Sequence, residues 1–205
     1  AAGVVILNFV ELHGVHDFDF KVYSDRDLPR LRKVLRSQEI EIQIIKYRPK
    51  LSWLELHSSR AIRYFSPMVL SKFEAFGLLK DYKRVMWLDY DIVLRKPLTE
   101  LLTKDSFDFA YQESEGSAAE GFHRPPDNLN QQQRGMSAHL FVLRDSFPDH
   151  ETALDRLYQI FATHPDNFYF PEQAAIDILI GERDFSFFQL NVNKYNSLHE
   201  DADAY

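Results

Sequence analysis

The chain has 205 residues, 45% of them hydrophobic, and carries 31 acidic against 24 basic residues for a net charge of −7. That length supports one domain with a sizeable core, and the charge excludes the basic surplus of a nucleic-acid binder. Cysteine is absent, which excludes a disulfide framework and a thiolate zinc site, and no apolar run is long enough for a transmembrane segment.

Residues 4–12 read as a helix, because the short gap to the apolar run at Phe18 leaves no room for a crossover between parallel strands. Residues 18–24 read as a strand, Leu28, Leu31, Val34 and Leu35 fall at helical spacing, and Ile40, Ile42 and Ile44 alternate. Ser66-Pro67 opens a helix with Val69, Leu70, Phe73 and Phe76 on one side and Gly77 near its end, and a strand at 85–88 follows. Strands are then expected at 107–111 and 138–143, a helix through Leu154, Leu157, Ile160 and Phe161, a helix at 171–181 and a strand at 185–190. The alternation predicts an α/β fold, a mainly parallel sheet flanked by helices, in a single domain over residues 1–205.

The most informative feature is Asp89-Tyr90-Asp91 at the end of the apolar run Val85-Met86-Trp87-Leu88. Strand alternation puts Asp89 and Asp91 on one face and Tyr90 on the other. Two close carboxylates raise each other's proton affinity or share a cation, and a hard divalent ion suits oxygen ligands. Acidic residues after a strand also cap turns, so the pair alone leaves both readings open. The strand is apolar on both faces, and ligands of open α/β sheets bind beyond the carboxyl ends of such strands. Residues 112–137 are polar, hold Gly116, Gly121, Pro125, Pro126 and Gln131-Gln132-Gln133, and read either as a lid or acceptor wall or as a disordered surface loop.

The string Lys83-Arg84-Val85-Met86-Trp87-Leu88-Asp89-Tyr90-Asp91-Ile92-Val93-Leu94, with Pro97-Leu98-Thr99-Glu100-Leu101, resembles the heart of glycosyltransferase family 8. Ser71-Lys72-Phe73 looks like the family's basic donor contact, Pro171-Glu172-Gln173-Ala174-Ala175-Ile176 like its acidic-Gln motif, and Lys194-Tyr195-Asn196 like a motif near its end. The resemblance implies a GT-A fold and metal-dependent transfer of a hexose from a nucleotide sugar, usually a UDP-sugar, to a saccharide or other hydroxyl acceptor with retention. It implies Asp89 and Asp91 as ligands of Mn²⁺ or Mg²⁺, Lys72, Tyr90, Ser137 and Ala138 at the donor, and Gln173 and Glu172 as catalytic residues. By themselves, Lys72 reads as a solvated lysine and Glu172 as a favourable charge in a helix's first turn. The resemblance further implies a cytoplasmic enzyme of polysaccharide biosynthesis.

The chain departs from the family pattern in three places. Ser137-Ala138-His139 stands where the family has Asn-Ala-Gly. Neither the family's first strand nor its late His-x-x-Gly-x-x-Lys motif is visible, so the domain is expected to lack both ends, and His199 reads as a surface residue. Two other classes compete. Leu88-Asp89-Tyr90-Asp91-Ile92-Val93 also fits haloacid-dehalogenase-type phosphatases with Asp89 as nucleophile, although Ile92 stands in the place of their Gly. The third class is a sugar-binding module that keeps the fold without turnover.

Overall fold

The structure is a computed structural model that describes residues 2–15, 17–127, 129–130, 132–163 and 165–191. Its helices and strands alternate as α1 (Ala2–His13), β1 (Phe20–Ser24), α2 (Pro29–Arg36), β2 (Ile42–Lys46), α3 (Trp53–Ser58), α4 (Arg60–Phe65), α5 (Glu74–Gly77), β3 (Arg84–Leu88), α6 (Thr99–Thr103), β4 (Phe109–Ser117), β5 (Arg134–Arg144), α7 (His150–Thr163), α8 (Pro171–Gly181) and β6 (Phe187–Gln189). The class is α/β, as the sequence predicts. The described residues form two compact units, one running through Arg48 and adding Leu88–Lys104, the other comprising Pro49–Trp87 and Asp105–Leu190.

In the first unit β1 and β2 pair in parallel, Phe20 beside Ile42 and Ser24 beside Lys46. A small core of Ile6, Leu35 and Ile40 forms with Val10, Val15, Phe20, Val22, Leu31 and Ile42 around it. The first segment is the expected helix. It ends at Gly14, whose φ of 79° suits a residue without Cβ and whose N–H reaches the Val10 carbonyl at 2.8 Å.

The second unit holds a four-stranded sheet in the order β3-β5-β4-β6. This sheet is mixed: β4 runs antiparallel to β5 and parallel to β6. The polar stretch after Tyr111 is folded rather than disordered at its two ends. β4 continues to Ser117 and β5 begins at Arg134, with a 3-10 turn at Ala118–Gly121 closed by a Ser117/Glu120 capping box.

The expected long α-helix after Ser66 is mostly a 3-10 helix, at Pro67–Phe73 and again at Leu78–Lys80, with one α turn between. Leu70, Phe73, Phe76 and Leu79 recur every three residues and are all buried, which is the period of 3-10 winding. The Ser71 hydroxyl donates to the Met68 carbonyl at 2.6 Å, an i to i−3 contact that suits the tighter coil. α3 and α4, which carry little helical periodicity, are instead fixed by serine caps. Ser52 accepts from the Glu55 N–H and Ser59 from the Ile62 N–H.

Candidate functional site

In the second unit the first turn of α8 gathers several of the sequence-predicted residues. Pro171 occupies the start of the helix, where its missing N–H costs nothing. Glu172 follows, and its Oε1 lies 3.6 Å from Lys72 Nζ, with each side chain only 12% exposed. Lys72 is therefore one half of a largely buried ion pair rather than a solvated lysine. Gln173 turns to the sheet, where its Nε2 donates to the Met136 carbonyl at 2.6 Å, while its Oε1 has no hydrogen-bond partner among the described residues.

One helical turn further, Asp177 Oδ1 accepts the Met136 N–H at 2.9 Å. Residues four apart lie on one helix face, so Gln173 and Asp177 hold the carbonyl and the amide of the same residue. Asp177 is 3% exposed, and burial pushes its carboxyl up to about 8, the Met136 N–H opposing that rise. Gly135 admits this approach, because a Cβ there would stand 3.4 Å from Asp177 Oδ2 and 3.0 Å from Ser114 Oγ.

Ser137 and Ala138 follow Met136 on β5. Here β5 carries residues 138–140 between the pairs Tyr111 with Phe141 and Gln112 with Ser137, an irregularity that re-aims the strand beside α8. Ser137 is half-buried and its hydroxyl lies 2.6 Å from His139 Nδ1, whereas Ala138 is buried, so only its backbone is left for a ligand. Opposite Ser137, Gln112 is buried and its Oε1 lacks a hydrogen-bond partner among the described residues. Gln112, His139 and Asp177 are polar neighbours of the candidate residues that sequence reasoning missed. For Gln112 and Asp177 the one available signal was polarity within otherwise apolar stretches of β4 and α8.

Asp89, Tyr90 and Asp91 belong to the first unit. The strand ends at Leu88, and the Ile92 N–H approaches the Asp89 carbonyl at 3.4 Å, closing a turn. Strand alternation therefore does not set the facing of Asp91, contrary to the sequence argument. Asp89 is half-buried and Tyr90 and Asp91 are exposed. The segment after them is fastened to α1, the Leu94 N–H donating to Asn8 Oδ1 at 2.5 Å and the Leu98 N–H to His13 Nε2 at 2.9 Å. Burial lowers the His13 pKa and favours the neutral ring that can accept this bond. Among the described residues no three His, Asp or Glu side chains gather as a metal cluster. Two carboxylates at a turn nonetheless fit a hard divalent ion that takes its other ligands from phosphate and water. Lys194-Tyr195-Asn196 and His199 lie outside the described residues.

The family model of glycosyl transferase family 8 matches residues 8–139, which include Lys72, Asp89, Asp91 and Ser137. No curated protein sequence matches the chain. Among solved structures, galactosyltransferase LgtC in complex with donor and acceptor sugar analogs aligns with a TM-score of 0.66 at 15% identity, over 94% of this chain and 69% of that one. An active-site variant of LgtC aligns at 0.67 and 16% identity, over 98% of this chain and 76% of that one. Mouse xyloside xylosyltransferase 1 in its apo form aligns at 0.55 and 11% identity, over 94% and 79%. These likenesses establish the GT-A fold.

Proposed function

This chain belongs to glycosyl transferase family 8 and is a glycosyltransferase, and we propose that it moves a hexose from a UDP-sugar to a saccharide hydroxyl with retention, as a single domain and in the cytoplasm. The observation that carries the reading is Gln173, whose amide nitrogen is fixed on the Met136 carbonyl while its oxygen has no partner in the described protein. A carbonyl oxygen held in place and unspent is suited to an electron-poor anomeric carbon.

In this reading Asp89 and Asp91 hold Mn²⁺ or Mg²⁺, which when bound neutralises charge on the departing diphosphate. Lys72 places a cation at the donor, and its ion pair with Glu172 holds both side chains in position before substrate arrives. Glu172 binds sugar hydroxyls, and Gln173 steadies the oxocarbenium-like centre. The bond from the anomeric carbon to the diphosphate oxygen breaks, a bond to the acceptor oxygen forms on the same face, and the acceptor proton passes to the diphosphate. Tyr90 and the Ser137–Ala138 backbone contribute donor contacts. The phosphatase alternative rests on Asp89-Tyr90-Asp91 alone, and the family match spans that motif.

The test is a screen of nucleotide sugars for Mn²⁺-dependent hydrolysis, alongside UDP binding by calorimetry. Asp89→Asn and Asp91→Asn are each expected to abolish metal-dependent UDP binding while leaving the circular dichroism spectrum unchanged. Unaltered binding in both variants would sink the metal assignment, and UDP-sugar binding without any turnover would leave a sugar-binding module.

A further inference from the structure

The helix that carries Gln173 is preceded by a segment leading from a shallow hollow of about 410 Å³, lined by Ser58, Arg60, Arg63, His123 and Asp166. Arg60 and Arg63 stand three apart on α4 and so share a face. Neither has an ion pair among the described residues, although Asp166 lines the same hollow. His123 is fixed there, its N–H donating to the Asn167 carbonyl at 2.8 Å and its ring lying 3.9 Å from that of Tyr169. Two guanidinium forks and an imidazole facing one carboxylate leave the hollow cationic in a chain whose net charge is −7.

The ground between this hollow and α8 is aromatic. Phe65 ends α4 and Phe170 immediately precedes Pro171-Glu172-Gln173; their ring centres are 6.3 Å apart, with 40% and 47% of each residue exposed. Exposed rings on the segment that leads into Gln173 offer a flat apolar face to the C–H side of a sugar, while arginine forks match the paired oxygens of phosphate or carboxylate.

We propose that the acceptor is an anionic saccharide, its sugar ring resting on Phe65 and Phe170 and its phosphate or carboxylate held by Arg60, Arg63 and His123. This rests on the glycosyltransferase reading above and adds the chemical class of its acceptor. Charge complementarity is what selects the occupant. A neutral sugar would leave two arginines idle, and an anion held in this hollow acts on acceptor choice rather than on the bond-making step.

The test is calorimetric titration of the full chain with glucose 6-phosphate, glucuronate, glucose and inorganic phosphate, and sedimentation with phosphatidylglycerol vesicles. At least one anionic saccharide is expected to bind about tenfold more tightly than glucose, and which of the two does so separates phosphate from carboxylate. Arg60→Gln with Arg63→Gln is expected to remove that advantage, as is high salt, and Asp166→Asn to strengthen it, a gain that misfolding cannot mimic. Equal binding of glucose, equally tight binding of inorganic phosphate, or binding to vesicles without binding to saccharides overturns the proposal. Mn²⁺-dependent donor hydrolysis by the unaltered protein keeps the two readings apart: present without anionic saccharide binding, only the acceptor assignment falls, and absent with every donor, the glycosyltransferase reading falls too.

Discussion

In the unit that carries Gln173, the largest side chains sealed from solvent are Phe73, Phe76, Phe107, Phe109, Phe141, Phe147 and Phe161, whereas in the unit that carries Asp89 and Asp91 they are the leucines Leu35, Leu98 and Leu101, and a small cluster of Ile6, Leu35 and Ile40 packs against its two-stranded sheet. The first is a close-packed aromatic mass in which Phe76 alone meets Phe109, Phe141 and Phe147 within 6.2 Å. The second relies on side-chain acceptors, Asn8 and His13, to hold the backbone that follows its acidic pair. The proposed roles explain the difference. Groups that must meet a reacting carbon within a fraction of an ångström need a stiff frame, while carboxylates that close on an ion and a diphosphate tolerate a softer one.

That contrast can be broken by mutation. Phe76→Ala is expected to cost about 3–5 kcal/mol in urea denaturation, and Ile6→Ala, beside a thinner core that can collapse, to fall near the bottom of the roughly 2–5 kcal/mol range for such truncations. Equal losses would erase the distinction between the units. Next in size, Lys72→Ala leaves Glu172 buried without its cation and is expected to cost about 1–3 kcal/mol. Adding Glu172→Gln should recover part of that loss, and a double-mutant cycle that is simply additive would deny the ion pair any role in holding the site. Smallest is Asn8→Ala, expected to cost about 1 kcal/mol, seen as faster hydrogen exchange at the Leu94 amide. Acid should act on the same tether. His13 has a lowered pKa in the folded chain, so its contribution is whole above about pH 6.5 and is lost as pH falls. Protection of the Leu98 amide should decline over that range.

The sequence located the elements where a single rule governs. α8 begins at Pro171 and ends at Gly181 as expected, and β1, β3 and α7 lie where their apolar runs do. Leu70, Phe73, Phe76 and Leu79 spelled a three-residue period that was legible in principle but was read as α-helix. The hairpin arms beyond Tyr111 and before Ala138 were missed for a different reason. Their inner face is covered by polar groups, with Gln133 Nε2 on the Asp177 carbonyl and the Met136 N–H on its carboxylate, so hydrophobic patterning cannot mark them as strand. The same physics hid Gln112, His139 and Asp177. The pairing of Lys72 with Glu172, a hundred positions apart, was beyond local pattern altogether.

Asp177 gives α8 a sensitivity to alkali. Its carboxyl ionises near pH 4 in an unfolded chain and at about 8 in the folded one, so between those values the folded chain keeps a proton that the unfolded chain has released. The stability this group contributes is whole below about pH 4 and is lost as pH rises through about 8. Asp177→Asn can accept the same Met136 N–H without titrating, and its melting temperature should stay level across that interval while the parent's declines. The Met136 amide proton points at the titrating oxygen, so its resonance should move near pH 8 and serve as an internal indicator. Mild base would thus slacken, from behind, the peptide against which Gln173 is braced.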